Sequence, residues 1–279
     1  ENQELILDLH NHTYNSHDGF TTPNELLQSC IIKGINAVAI TEHDKECEVD
    51  DSLFKKNAIE LIHGWECTDN TGAHIIGLFL KGKPPVGEDA LTILKHISES
   101  GGISVMPHPW KKGSGFMAMN GDINLVSKFD FIELINGGWP AGKYSKNILE
   151  LARTYKLRLL SSSDSHKACQ VGLCCTGVSK DNTSLSTYEL ISRSTQESLN
   201  LYMNKTMLKK HGRRINAFQG SRLYQRVLPF FPQTLRRKVK ILRYRMSSER
   251  FSRQAGFDLI DVKKEGAKAK KAGYQRKLP

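Results

Sequence analysis

Three short stretches of this chain concentrate side chains that bind divalent metal ions. They are Asp8-Leu9-His10-Asn11-His12-Thr13, Thr41-Glu42-His43-Asp44 and Asp164-Ser165-His166. Each stands at the end of an apolar run: LILDLH, AVAITEH and RLLSSSDSH. Imidazole nitrogen and carboxylate oxygen are natural ligands for zinc, manganese and iron. His10 and His12 are two apart, so on extended backbone they point to one face and can share an ion. Asp164 and His166 repeat that spacing. Glu66 closes a further run in His63-Gly64-Trp65-Glu66, His74 opens the next in Gly72-Ala73-His74-Ile75-Ile76-Gly77, and His108 closes another in Val105-Met106-Pro107-His108-Pro109. Independently satisfied polar core groups would account for two or three of these residues. They are a poor account of a candidate ligand at nearly every strand terminus. No Cys-x5-Arg loop or G-x-S-x-G elbow competes for a nucleophile role.

The elements that must position these residues alternate. Strand patterns cover 5–9, 36–41, 58–65, 73–80, 103–107, 130–135 and 158–162, and residues 171–200 can add one more strand and helix. Pro23-Asn24-Glu25-Leu26-Leu27 opens a helix with Pro in its first turn, and Gly34 closes it. Residues 88–100 and 142–156 are further amphipathic helix patterns. Alternating strands and helices predict a mostly parallel sheet covered by helices. About seven strands suit a closed α/β barrel, where side chains at the carboxyl ends of strands face one mouth.

Charge divides the chain. Residues 1–200 hold 18 Lys and Arg against 25 Asp and Glu, and residues 201–279 hold 22 against 4. A mildly acidic barrel domain over 1–200 and a basic C-terminal extension over 201–279 are expected to have different roles. In the extension Leu235, Val239, Leu242 and Met246 fall at helical spacing among Arg and Lys, predicting a basic amphipathic helix; residues 263–279 carry almost no apolar content and are expected to be disordered. Three readings of the extension are packing on the barrel, adsorption to an anionic membrane surface with Leu228-Pro229-Phe230-Phe231-Pro232 as apolar anchor, and nucleic-acid binding. No stretch approaches the ~20 apolar residues of a membrane span, and no basic-then-apolar leader pattern occurs. The six cysteines form no C-x-x-C pair, which argues against a thiolate zinc site. Reduced thiols in a cytoplasmic protein, with peripheral membrane contact as an option, are the simplest expectation.

The order D-x-H-x-H-T…S-x-D-G, T-x-H-D, G-x-E, A-H-I-I-G, x-P-H-P and S-x-S-D-x-H resembles the PHP family, the polymerase and histidinol phosphatase domains, over about residues 5–180. The resemblance implies a distorted (β/α)7 barrel, followed here by the basic, partly helical extension, with two or three divalent ions (Mn, Zn or Fe) at the mouth and hydrolysis of phosphate esters. It implies that His10, His12, Glu66 and Asp164 surround one ion. Glu66 would bridge to a second ion held by His74 and His108, and Asp18, His43 and His166 would hold a third. Asp18 is preferred over its neighbour His17, because Ser16-His17-Asp18-Gly19 matches the family with Asp as ligand. Asp18, Glu66 and His166 are the expected catalytic members.

Clustered cations neutralise a phosphate ester and acidify water, so in-line attack by a metal-bridging hydroxide is the expected chemistry. A metal-bound water, His17 or Asp44 would protonate the leaving oxygen, and Asp44 is expected chiefly to orient His43. Trp110, Lys111, Asn136 and Lys167 are the candidates for gripping substrate, and Glu133 is expected to be structural. His63, His96 and His211 are expected bystanders. The expected substrate is a small phosphorylated metabolite or nucleotide. Alternatives are a protein-tyrosine phosphatase of PHP type, a nuclease using the basic extension, and a scaffold in which metal serves only stability.

Overall fold

The computed structural model describes residues 3–139, 142–180, 184–204 and 258–259. The expected alternation folds as β1 (Gln3–Asp8), α1 (Pro23–Lys33), β2 (Ala37–His43), α2 (Asp51–Lys55), β3 (Glu60–Thr68), β4 (His74–Leu78), α3 (Ala90–Glu99), β5 (Ile103–Met106), α4 (Phe116–Met119), α5 (Ile123–Val126), β6 (Phe131–Asn136), α6 (Ser145–Tyr155), β7 (Arg158–Ser162), β8 (Cys174–Lys180), α7 (Thr187–Ser192), β9 (Leu199–Met203) and β10 (Asp258–Leu259). The helices start and stop for local reasons. Thr22 caps α1 by accepting from Glu25 N at 3.2 Å while Glu25 reaches back to Thr22 N at 2.9 Å. Gly34, at φ 66°, ends that helix in the left-handed conformation that glycine adopts without strain. Asp89 caps α3, which buries Ala90, Ile93, Leu94 and Ile97 at helical spacing.

The strands form one sheet in the order β10-β9-β8-β1-β2-β3-β4-β5-β6-β7. β1–β2, β2–β3, β5–β6 and β6–β7 pair parallel; β3–β4, β4–β5, β1–β8, β8–β9 and β9–β10 pair antiparallel. Antiparallel pairings thus outnumber parallel ones, against the sequence expectation. For two of the five, β3–β4 and β4–β5, the cause is the link between β3 and β4. It is a tight turn in which Asp69 accepts from the backbone of Thr71 and Ala73, both at 2.8 Å, leaving no room for a crossover helix. β4 therefore runs backwards.

The sheet curls into a nearly closed barrel. Leu7, Ala39, Ile62, Ile76, Val105, Phe131, Leu160 and Val178, from β1 through β8, pack in one cluster, so alternate residues of every strand fill the interior. The opposite faces pack outward. Val38 and Ile40 meet Leu26, Leu27 and Cys30 of α1, while Trp65, Ile132 and Leu159 meet the apolar faces of α3 and α6. Where β7 and β8 meet, side-chain hydroxyls stand in for ladder bonds. Thr176 Oγ1 accepts from Ser161 N at 3.0 Å and donates to Ser161 O at 2.9 Å, and Ser163 Oγ donates to Cys174 O at 3.0 Å. The basic extension, including its expected helix and tail, lies outside the described residues apart from Asp258–Leu259. Among the described residues no helix is long and apolar enough to cross a membrane. All six cysteines are free thiols.

Candidate metal centre

The barrel mouth gathers imidazoles and carboxylates from six strands or their following loops. His10 and His12 follow β1, Glu66 lies near the end of β3, and Asp164 follows β7. Their inward atoms are nearly equidistant. His10 Nε2 is 3.1 Å from His12 Nε2, 3.4 Å from Glu66 Oε2 and 3.4 Å from Asp164 Oδ1; His12 Nε2 is 3.3 Å from Glu66 Oε2 and 3.5 Å from Asp164 Oδ1. A tetrahedron of metal bonds near 2.0–2.1 Å has edges of about 3.3 Å. Four donors from three separated segments therefore stand at the spacing an ion imposes. Glu66 Oε2 is buried and has no hydrogen-bond partner. A lone buried acceptor is costly unless something positive meets it, and an ion between these donors would.

Glu66 also faces outward. Its Oε1 lies 2.8 Å from His74 Nδ1 and 3.0 Å from His108 Nε2, and its Oε2 lies 3.1 Å from His43 Nδ1. The reversed direction of β4 is what places His74 here: it is the first residue of its strand, yet it stands at the same mouth as residues that end theirs. A third group forms around Asp18, whose Oδ2 is 3.0 Å from His166 Nε2 and 3.6 Å from His43 Nε2. His17 stays 72% exposed, with Nε2 4.0 Å from Asp18 Oδ2. The sets His12/His43/His166, His10/His12/Glu66, His10/His108/Asp164 and His43/Glu66/His74 each offer three donor atoms close enough to share an ion. They overlap without coinciding with the three groups that the resemblance implies: His43 faces both Glu66 and Asp18.

The PHP domain family matches residues 8–201 of the chain. This chain is a PHP domain protein. An uncharacterised protein of Methanocaldococcus jannaschii is 31% identical over 118 residues, 40% of this chain and 68% of that one. A 5'-3' exoribonuclease of Haemophilus influenzae is 38% identical over 76 residues, 25% of this chain and 27% of the enzyme. In fold, the chain is similar to a two-domain protein from Bacteroides vulgatus containing a predicted PHP-like metal-dependent phosphoesterase, with TM-score 0.57 and 19% identity, covering 73% of this chain and 66% of that one. The family is one of metal-dependent phosphoesterases, and the donor set of this PHP barrel suits divalent ions.

Buried partners orient the ligands. His10 Nδ1 donates to Glu133 Oε1 at 2.8 Å, which leaves Nε2 bare toward the cluster. Glu133 also accepts from Ser162 Oγ, from His108 N at 2.8 Å and from Asn136 Nδ2 at 2.7 Å. Asp8, the first residue of the D-x-H-x-H string, accepts from Ser163 N at 3.0 Å and Gly172 N at 2.8 Å, anchoring the loop that carries Asp164 and His166. Burial penalises ionisation of Glu66, yet the imidazoles of His74, His10 and His43 hold its carboxyl well below the usual range. Burial likewise opposes Asp164, and His10 and Lys111 outweigh it. His108 at φ 29° and Asp164 at φ 47° sit in strained left-handed backbone, which folds retain where geometry is needed. A Cβ on Gly138 would stand 2.7 Å from Asp164 Oδ2, so only glycine lets that loop pass beside the carboxylate.

The substrate-gripping candidates divide. Lys111 Nζ lies 3.4 Å from Asp164 Oδ2, at the edge of the cluster. Trp110 stacks on Tyr144 with ring centres 5.7 Å apart and planes 5° from parallel, and Trp139 stacks on Tyr144 at 5.8 Å and 24°. Asn136 is otherwise engaged than expected. It is buried, with Nδ2 on Glu133 and Oδ1 accepting from Gly138 N at 2.9 Å and Trp139 N at 2.7 Å, which gives it a supporting place beside Glu133. Lys167 Nζ is 5.9 Å from the Phe20 ring centre. Asp44 does not orient His43; its carboxylate accepts from Thr68 N at 2.7 Å and Thr68 Oγ1 at 3.0 Å, holding the end of β3. His63 pairs with Asp51 and His96 lies against Trp65, both away from the cluster, and His211 lies outside the described residues. Sequence reading missed Glu133 as a ligand support and Tyr144 altogether. The one available signal was a lone Glu in the apolar run FIELIN.

Proposed function

We propose that this protein hydrolyses phosphate esters at a centre of two or three divalent ions held by His10, His12, Asp18, His43, Glu66, His74, His108, Asp164 and His166. The observation that carries this reading is the set of four donors, one of them the Glu66 Oε2 that accepts no hydrogen bond, with 3.1–3.5 Å between His10 or His12 and the others. Bound there, divalent ions supply charge neutralisation and an acidified water. The chain's own side chains do the rest. Glu66 presents one oxygen to each of two donor groups, Lys111 reaches a phosphoryl oxygen from the rim, and Asp18 with His166 forms the outer edge of the site. The stacked Trp110, Tyr144 and Trp139 flank the loops that touch Asp164, which supports a substrate whose leaving group carries a flat ring, such as a nucleotide. The His, Asp and Glu side chains among the inward donors are assigned to holding ions rather than to covalent attack, so direct attack by water without a phosphoenzyme is the mechanism we favour.

A second reading, a nuclease, draws on the 5'-3' exoribonuclease relative and on the basic residues 201–279, which would neutralise the phosphates of a polymer. The division into a barrel over 1–200 and a basic extension over 201–279 belongs to this reading. The test is metal analysis of the purified chain, coupled to hydrolysis of p-nitrophenyl phosphate, bis-p-nitrophenyl phosphate and a 5'-phosphorylated oligonucleotide with and without manganese. Two to three metals per chain and metal-dependent turnover are expected. Less than one tightly bound metal and no turnover with any added metal would overturn the proposal, and turnover of the oligonucleotide alone would favour the nuclease.

A further inference from the structure

Glu42 is fully buried, belongs to none of the donor groups, and forms no ion pair among the described residues. Its carboxylate accepts from Thr13 N at 3.2 Å, from Thr13 Oγ1 and from Ser16 Oγ. Ser16 in turn touches two candidate ligands. Its hydroxyl oxygen lies 3.2 Å from His12 Nδ1 and accepts from His43 N at 2.9 Å.

A hydroxyl has one proton and two lone pairs. The Ser16 proton goes to the Glu42 carboxylate, which can only accept. Ser16 must then accept from both His43 N–H and His12 Nδ1. That choice places the His12 proton on Nδ1 and leaves Nε2 bare, the atom that stands 3.3 Å from Glu66 Oε2 and 3.5 Å from Asp164 Oδ1. We infer that Glu42 and Ser16 form a positioning relay that sets the tautomer of His12 and fixes the backbone of His43, so that both present their ring nitrogens to the metal centre. It parallels the direct Glu133–His10 contact: each imidazole of the His-x-His pair is held by a buried carboxylate, one directly and one through a hydroxyl. Glu42 and Ser16 touch neither substrate nor ion and act through His12 and His43.

The inference rests on the metal-centre reading for its consequence, but the tautomer itself can be read without metal. The test uses the full chain, 15N-labelled and chelator-stripped, with the His12 ring signals assigned by their loss in His12→Gln. Long-range proton–nitrogen spectra are expected to show His12 protonated at Nδ1. Glu42→Gln turns an acceptor into a donor toward Ser16, which frees the Ser16 proton for His12 Nδ1 and moves the His12 proton to Nε2. Ser16→Ala should give a mixture, and Ser16→Thr, which keeps the hydroxyl, should restore the wild-type signal. Zinc titration of the same samples should show about 10- to 100-fold weaker binding in Glu42→Gln and Ser16→Ala, with rescue in Ser16→Thr. Wild-type His12 protonated at Nε2, or variants whose tautomer and zinc affinity stay within twofold of wild type, would overturn the relay. If wild type shows the Nδ1 tautomer yet binds no zinc, the relay stands and the metal-centre reading fails. Glu42→Gln conserves volume, so it remains readable if Ser16→Ala does not fold.

Discussion

Replacing Glu133 with Gln probes how the barrel interior controls its mouth. Glu133 is 1% exposed and its two oxygens accept four hydrogen bonds, from His10 Nδ1, Ser162 Oγ, His108 N and Asn136 Nδ2. Gln keeps the shape but has one oxygen. Its amide must face either the His108 N–H and Asn136 Nδ2 pair or the His10 and Ser162 pair, and on the first side two donors would meet two donors. The tolerable orientation turns the amide toward His10 and Ser162. Ser162 can rotate its hydroxyl to accept. His10 can accept only by giving up its Nδ1 proton, which moves that proton to Nε2, the atom aimed at Glu66 and Asp164. Either the ring is lost as a ligand or a buried donor is left unpaired, at about 1–3 kcal/mol. Metal affinity should fall about 10- to 100-fold, which is about 1.4–2.7 kcal/mol on the same scale. The assay is zinc or manganese titration of the stripped chain by calorimetry, with a thermal melt of the same sample. If Glu133→Gln binds metal within twofold of wild type, the claim that Glu133 sets the His10 tautomer is wrong, whatever the melt shows.

Other outcomes follow from the same geometry. Gly138→Ala should displace Asp164, because the new Cβ would stand 2.7 Å from Oδ2, and metal binding should weaken about tenfold with the fold kept by circular dichroism. Trp110→Ala removes a face of the aromatic rim; KM for a nucleotide substrate should rise by about 5- to 150-fold, the equivalent of ~1–3 kcal/mol of ring stacking, while KM for p-nitrophenyl phosphate moves less. Equal KM changes for both would reduce the rim to packing. Burial pushes the Cys67 thiol up to about 12 and the Cys47 thiol up to about 11, from an ordinary 9.0. Because the folded values are raised, the stability they contribute is complete below about pH 9 and is lost as pH rises through those values. Urea midpoints should therefore fall between pH 8 and pH 10.5, and Cys67→Ser should fall less steeply; equal slopes would contradict the assignment.

Much of the site could be read along the chain because its grammar is local. An extended backbone puts residues two apart on one face, so His10 with His12 and Asp164 with His166 announce a shared direction before any fold is known. Strand-like runs that end in ligands announce a common mouth, and the capping residues of α1 announce where that helix begins and ends. Pairing direction was not legible, since it depends on whether a link is a turn or a helix. The Asp69 turn reverses β4, and only that reversal explains why His74 begins its run rather than ending it. Nor were the identities of the supports. Glu133 meets His10 across 123 positions of sequence and Ser163 meets Asp8 across 155, and no spacing rule reaches that far. Asn136 looked like a mouth residue because it ends a strand, yet its amide folds back onto Glu133, three residues earlier, past an irregularity in the pairing of β6 with β7. Asp44 looked like a partner for its neighbour His43, yet pairing of β2 with β3 brought Thr68 to it instead. The residue types that can bind metal are thus determined by the sequence itself. Which nitrogen of His10 faces the cluster, and on our inference which nitrogen of His12, is set by the buried Glu133 and Glu42, which only the curled sheet brings to them.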